Sequence, residues 1–392
     1  MRTTIKATVL IIAFVIIGII VYYSISYFRE KDYVSINTQS PTFLKDKVAA
    51  VYFSGTADST GVGSYTVYID QKGKTSATKG EAIEAGGIAQ GDGMLLREDP
   101  DKVEFVGKKN ISFSMKEKVY TGYRQAAYLP KEKMFYSLTN KGQEKAGYFS
   151  VVRWGNEKKI REQKVPGFYL TYGNDGKDIY VLGEDDHSMN RLIFGKIKLG
   201  DRAIYSKIKT IGTIRDYENV NSNMLIKHHL AYFIFYKEDE ATMTVVPHVM
   251  IYDLQNKKLY GKYQLGTFKV KTDRIEDSFI GYHNNFTIHG NKLYHLTGTS
   301  TVFVFDLKSK KPLQSFSLKR KKSTTYEVAG IDFRKDAIYI LNKMKNKKEY
   351  ELASYSYKDG AEKSALPVKG LNNIVDSHAS SYDFVMLDHS NK

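Results

Sequence analysis

Residues 330–342 read "GIDFRKDAIYILN". A mostly apolar run, a short charged turn and a second apolar run make the pattern of a small β-hairpin. The pattern recurs along the chain. Aligned on its second run, "AIYILN" at Ala337 has counterparts in "GMLLRE" at Gly93, "KMFYSL" at Lys133, "DIYVLG" at Asp178, "LAYFIF" at Leu230, "KLYHLT" at Lys292 and "YDFVML" at Tyr382. Successive starts are 40, 45, 52, 62, 45 and 45 residues apart. Strand-like units at a period of about 40–50 residues are the signature of propeller blades.

Each run has an apolar partner before it across a polar turn, as in "GGIAQ" before Gly91-Asp92, "AAYL" before "PKEK" and "NNFTI" before "HGN". The turn residues are those that accept tight or left-handed backbone geometry. A second hairpin type interleaves with the first, running from an alternating strand into a basic turn. Its copies are "YTVYIDQKGK" at Tyr65, "VEFVGKKN" at Val103, "YFSVVRWGNEKK" at Tyr148, "RLIFGKIKLGD" at Arg191, "HVMIYDLQNKK" at His248, "TVFVFDLKSKK" at Thr301 and "ELASYSYKDG" at Glu351. Seven inner and seven outer hairpins predict an all-β fold, a β-propeller of seven four-stranded blades over residues 48–392. The chain opens on an outer hairpin and ends on an inner one, so a closed ring needs both ends of the domain in one blade. "VAAVYF" at residues 48–53 is a spare strand. It competes with "YDFVML" for one position or marks an eighth blade. A β-sandwich or a pair of smaller β domains is the other all-β arrangement that such hairpins allow.

The unit "EVAGIDFRKDAIYILN" followed by "ELASYSYKDGAEKSALPV" resembles a blade of the YVTN and WD40-like propeller superfamily, as does "NNFTIHGNKLYHLTGTSTVFVFDLKSKKPLQSFSL". The resemblance covers residues 48–389. The chain has no Trp-Asp signature, literal YVTN tetrapeptide, kelch Gly-Gly pair or sialidase-type Asp box. The resemblance therefore implies a fold and no particular activity, since such propellers include binding scaffolds, lyases, hydrolases and quinoprotein dehydrogenases.

Composition agrees with strands. Among 392 residues are 30 Tyr, 20 Phe and a single Trp, and 42% are hydrophobic. Aromatic and β-branched side chains suit a pleated, half-buried surface. There is no Cys, which excludes disulfides, thiol nucleophiles, Cys-ligated zinc and a lipoprotein-type anchor. The formal net charge of +16 bears on solubility and long-range attraction. It suits an anionic neighbour such as a lipid surface or a cell-wall polyanion. The charge is spread over many turns, which argues against nucleic acid.

The first 32 residues, "MRTTIKATVLIIAFVIIGIIVYYSISYFREKD", carry the address. Residues 1–6 form a short basic segment, and residues 7–28 are uncharged. As a helix those 22 residues span about 33 Å, against a hydrocarbon core of roughly 30 Å. Tyr22, Tyr23, Tyr27 and Phe28 fall at the interfacial belt, and Arg2 and Lys6 favour a cytoplasmic N-terminus. The expectation is a transmembrane signal-anchor over residues 7–28, a spacer over 29–47 and an extracytoplasmic propeller in the cell membrane, in the manner of a bacterial envelope protein. The alternative is a secreted domain after signal cleavage near Ser24 and Ser26.

No nucleophile elbow, P-loop, dinucleotide fingerprint, EF-hand loop or His-Glu-x-x-His motif is present. His283, His289 and His295 recur at six-residue spacing, which does not by itself bring them to one point as metal ligands require. The loops between inner and outer hairpins share a rim with the loops between blades. Three are acidic: Glu98, Asp99 and Asp101; Glu184, Asp185 and Asp186; and Glu238, Asp239 and Glu240. One inter-blade loop is basic, with Lys319, Arg320, Lys321 and Lys322. These are the candidate binding residues. The carboxylates suit Ca²⁺ or a cationic ligand, and no other cofactor is indicated.

Two functions fit. The first is a binding or assembly module for another envelope protein or an anionic wall polymer. The second is an extracytoplasmic lyase or hydrolase with a metal or carboxylate site at the channel mouth. An enzyme gathers His, Asp or Glu from several blades at one mouth, whereas a scaffold presents an apolar or aromatic rim. The apolar inner strands favour the scaffold.

Overall fold

The computed structural model describes residue 38 and residues 40–388, except 57, 59–60, 109, 186–187, 214–219, 221, 271–283, 321–325 and 345–348. Seven antiparallel sheets form a propeller. From the axis outward, blade 1 is Ser380–Met386, Lys47–Ser54, Ser64–Asp70 and Thr75–Gly80. Blade 2 is Ala89–Gly91, Met94–Asp99, Lys102–Gly107 and Ile111–Ser114. Blade 3 is Thr121–Leu129, Met134–Glu144, Gly147–Asn156 and Lys159–Pro166. Blade 4 is Tyr169–Asn174, Ile179–Asp185, Ser188–Lys198 and Ile204–Thr213.

Blade 5 is Leu225–Lys227, Leu230–Asp239, Thr244–Asp253 and an outer strand in two pieces, Lys258–Gln264 and Phe268–Lys269. Blade 6 is Phe286–His289, Lys292–Leu296, Thr301–Asp306 and the pieces Lys311–Pro312 and Phe316–Ser317. Blade 7 is Tyr326–Phe333, Ile338–Met344, Tyr350–Tyr355 and Glu362–Val368. The opening stretch "GIDFRKDAIYILN" is thus the inner hairpin of blade 7, with Phe333 opposite Ile338.

The repeat exists because each blade buries both faces. Side chains alternate across a strand, so Tyr232, Ile234 and Tyr236 pack towards blade 6 while Ala231, Phe233 and Phe235 pack towards blade 4. One large apolar cluster fills each of the seven contacts between neighbouring blades. Each large side chain buried this way stabilises by roughly 1.5–3 kcal/mol before entropy is counted.

The closing blade corrects one expectation. "VAAVYF" and "YDFVML" do not compete for a position, and the described residues form no eighth blade. They are neighbours, with Ala50 opposite Val385 and Tyr52 opposite Asp383. "YDFVML" is therefore a first strand, whereas the other six runs aligned with it are second strands. Apolar pattern alone cannot separate these positions, because both are buried on two faces. Among the described residues no helix is long and apolar enough to cross a membrane, and the expected anchor at residues 7–28 lies outside them.

Candidate binding site at the central channel

The first strands surround a cavity of about 460 Å³ to which every blade contributes. Gln90, Tyr128, Asn174, Asn223, Asn284, Asp332 and Asp383 come from blades 2, 3, 4, 5, 6, 7 and 1 in turn. The lining is polar. Two carboxylates face it, from adjacent first strands and in the same local sequence: Asp332-Phe333 and Asp383-Phe384. In each, the apolar neighbours of the Asp pack into blade contacts and the Asp takes the channel side.

Both carboxylates are anchored to backbone across a blade boundary. Asp332 Oδ2 accepts the Met386 amide at 2.8 Å, joining blade 7 to blade 1. Asp383 Oδ2 accepts the Ile88 amide at 2.9 Å, joining blade 1 to blade 2, and its Oδ1 accepts the Phe384 amide at 2.8 Å. Arg334 extends the first seam. Its Nε donates to Asp332 at 2.8 Å, its Nη1 to both Asp388 oxygens at 2.9 Å, and its Nη2 to the Met386 carbonyl. The Asp388 amide in turn donates to Gln90 Oε1 at 3.0 Å. Burial pushes the Asp383 carboxyl up to about 7, against the pull of its two amide donors. Burial also raises Asp332, opposed by the Arg334 cation.

The residues expected to bind lie elsewhere, on blades 2, 4 and 5 and on the link from blade 6 to blade 7. Glu98 is buried between blades 2 and 3, whereas Asp99 is buried between blades 1 and 2, beside Gly80. Glu98 accepts the Ser137 hydroxyl and faces Arg153, while Asp99 pairs with Lys102 at 3.1 Å and with Arg97 at 3.5 Å. Arg153 is itself buried and donates to the carbonyls of Pro100 and Glu117 at 2.8 and 2.6 Å and to Glu162 at 3.0 Å. Asp101 is half-buried and pairs with Lys118 at 3.2 Å.

Glu184 is half-buried and its carboxyl is raised by that burial. Asp185 ends the second strand of blade 4. Glu238 and Asp239 end the second strand of blade 5, with Glu240 in the turn beyond. The Thr242 side chain and amide hold Asp239 below the usual carboxylate range. Lys319 is exposed beside Ala361, whereas Arg320 bonds Glu351 and lies 4.2 Å over the Tyr326 ring. Asp186, Lys321 and Lys322 lie outside the described residues. The shared rim is borne out at blade 2, where the Met115 and Val119 amides of the inter-blade loop donate to Asp101 and Pro100 carbonyls at 2.7 and 3.1 Å.

Among the described residues no three His, Asp or Glu side chains gather as metal ligands would. His289 is exposed and stacks on Tyr357, His295 is buried between blades 5 and 6, and His283 lies outside the described residues. His295 Nε2 meets the Tyr236 hydroxyl at 3.0 Å and its Nδ1 the Asn285 carbonyl at 3.2 Å. Burial holds this imidazole neutral, its pKa lowered to about 4.

Comparison with known proteins agrees with this architecture. The family described as "YycP, beta-propeller domain" matches residues 42–387, and the chain belongs to that family. It is 24% identical over 400 residues to the "Uncharacterized protein YycP" of Bacillus subtilis (strain 168), covering 97% of this chain and 99% of that one. It is also similar to the crystal structure of Saccharomyces cerevisiae Sqt1, at 7% identity and a TM-score of 0.46, covering 79% of this chain and 91% of that one.

Proposed function

We propose that this member of the YycP propeller family is a membrane-anchored, extracytoplasmic binding module. Residues 7–28 hold it in the membrane, and the propeller docks another envelope protein or an anionic wall polymer. The observation that supports a module is the use made of the charged groups around the channel. Asp332, Asp383, Arg334 and Asp388 are bonded to backbone and to one another across the blade 7, 1 and 2 seams. Groups committed to closing the ring leave its loops as the working surface. The test has two parts. In protoplasts of Bacillus subtilis the full chain should sediment with membranes, its propeller cut by external protease. Added isolated cell walls should then be retained by the chain in a salt-dependent way. Cytoplasmic protection of the propeller sinks the reading.

A second reading has one observation in its favour. Asp383 is a near-neutral acid in a polar cavity, with the Asp332 carboxylate adding to its raised pKa. A lyase or hydrolase needs such a group for proton transfer. On this reading an Asp383→Asn chain keeps its fold and loses turnover of wall polysaccharide. On the first reading it keeps all wall binding.

A further inference from the structure

The chain reaches the propeller on the face formed by the turns between first and second strands and between third and fourth strands. These turns meet within a blade. The Leu254 amide donates to His229 in blade 5 and the Leu307 amide to Asn291 in blade 6, at 2.9 and 2.8 Å. In blade 7 the Tyr357 hydroxyl donates to the Arg334 carbonyl at 2.8 Å. The incoming segment lies on the same face. The Asp46 carbonyl accepts the Gln71 amide at 3.1 Å, the Thr38 carbonyl accepts Asn110 Nδ2, and Phe43 packs edge-on against Tyr68 at 4.9 Å.

This face takes a cation from every blade. Every turn between third and fourth strands presents an exposed cation: Lys72, Lys108, Lys158, Arg202, Lys257, Lys308 and Lys358, from blades 1 to 7 in order. The acids of three such turns are directed back into the backbone. Asp70 Oδ1 accepts the Lys72 and Lys74 amides at 2.8 and 2.9 Å. Asp253 Oδ1 accepts those of Gln255 and Asn256 at 2.9 Å, and Asp306 Oδ1 those of Lys308 and Ser309 at 3.0 and 2.6 Å. The carboxylate therefore caps its turn while the cation points outward. Leu259, Tyr260 and Leu313 are exposed among these lysines, with Lys310 Nζ 3.6 Å over the Tyr260 ring.

We propose that this turn face lies against the anionic phospholipid headgroups of the membrane that holds residues 7–28. The inference rests on the anchored reading given above. From Phe28 to Thr38 the chain can extend about 35 Å at most, so the face that receives Thr38 is the one nearest the bilayer. Each basic residue near an anionic surface is drawn towards it, and the attraction fades within a Debye length. A cation from each blade, with Tyr and Leu between them, suits the headgroup layer. The opposite rim, with the acidic loops, then faces away from the membrane and is free for a partner.

The chain has no cysteine, so single-cysteine probes are clean. The full-length protein is reconstituted into vesicles with a dye at Gln255→Cys on the turn face or at Ala146→Cys on the opposite rim. Energy transfer to a lipid-borne acceptor is read in phosphatidylglycerol and in phosphatidylcholine. In phosphatidylglycerol, transfer from position 255 should exceed that from 146 by roughly threefold, and should fall towards equality in about 0.5 M salt, where screening acts within roughly 4 Å. The variant K257E/K258E/K308E should lose the excess and still float with the vesicles. Failure to float in either lipid overturns the anchored reading. Flotation with equal transfer from both positions overturns the facing proposal alone. So does an excess that appears only when isolated wall polymer is added.

Discussion

The Asp332 carboxylate accepts the Met386 amide at 2.8 Å across the seam where blade 7 meets the closing strand. The same carboxylate holds Arg334, whose other nitrogens reach Asp388 and the Met386 carbonyl. Side chains of one blade thus secure the backbone of the next at the joint that makes the ring.

Asp332→Ala should therefore loosen the seam. It leaves the Met386 amide without its acceptor and the Arg334 cation half-compensated. We expect a loss of about 2–3 kcal/mol, read as a lower midpoint in urea unfolding. Hydrogen exchange should rise first in Ser380–Met386 and in the strands beside it. A uniform rise over all seven blades would count against a local seam.

Asp383 sets one pH dependence. Its folded-state pKa is raised to about 7 from the usual 3.8, so the folded protein holds a proton that the unfolded chain releases. Its contribution is present below about pH 4 and is lost as pH rises through about 7. The carboxyl lines a polar channel, so the effect should be about 1–2 kcal/mol rather than the full electrostatic value. Unfolding midpoints of wild type and Asp383→Asn, compared from pH 4 to 8, should converge or cross as pH rises.

His295 acts with the opposite sign. Burial lowers its pKa to about 4, so the unfolded chain takes up a proton that the folded one refuses. Stability from this group is present above about pH 6.5 and is lost as pH falls towards 4. His295→Gln should flatten the acid limb of the stability profile and leave the Asp383 limb in place.

The first strands approach one another so closely that one glycine decides the packing. A Cβ on Gly173 would lie 1.9 Å from the Met224 carbonyl oxygen of the next blade. No side-chain rotation relieves a clash with backbone. Gly173→Ala should cost about 2–4 kcal/mol and alter the channel lining at Asn174 and Asn223, seen as a lower melting temperature with the far-UV spectrum unchanged.

Arg153 is nearly solvent-free and its partners come from the rim loops of blade 2 and from its own blade. Arg153→Met leaves Glu98 and Glu162 without their counter-charge. A loss of about 3–5 kcal/mol is expected. Restoring the neutral pair with Glu98→Gln should recover part of it, measured as a double-mutant cycle.

Much of the ring was legible because its cause is local. Alternating apolar residues and turn chemistry recur in "AIYILN", "KLYHLT" and "LAYFIF", and all six of the second strands aligned on them stand where the pattern puts them. The closing strand was not, because "YDFVML" looks the same whether first or second in its blade. The channel carboxylates were harder. In "GIDFRKD" the charges read as solvated turn residues, although Asp332 precedes the turn and belongs to the strand. The available signal was the repeat of Asp-Phe in "GIDF" and "SYDF", a charge in the middle of two otherwise apolar first strands. The acidic loops misled in the other direction: Glu98 and Asp99 read as loop residues but end a strand, and neighbouring blades cover them, blade 3 with Arg153 over Glu98 and blade 1 with Gly80 against Asp99.

The closing strand also sets an order of events. Ala50 must find Val385, 335 positions later. Ser380–Met386 is the last of the described strands to be synthesised, while Lys47–Ser54 is the first. Blades 2 to 7 are each made from contiguous chain and can form as they emerge. Until the end arrives, Lys47–Ser54 waits with an apolar, unpaired edge, the kind of surface on which chains adhere to one another. A chain halted before residue 380 would be left permanently in that state. The arrival of Ser380–Met386 is thus the step that converts a sticky intermediate into a closed, self-contained ring.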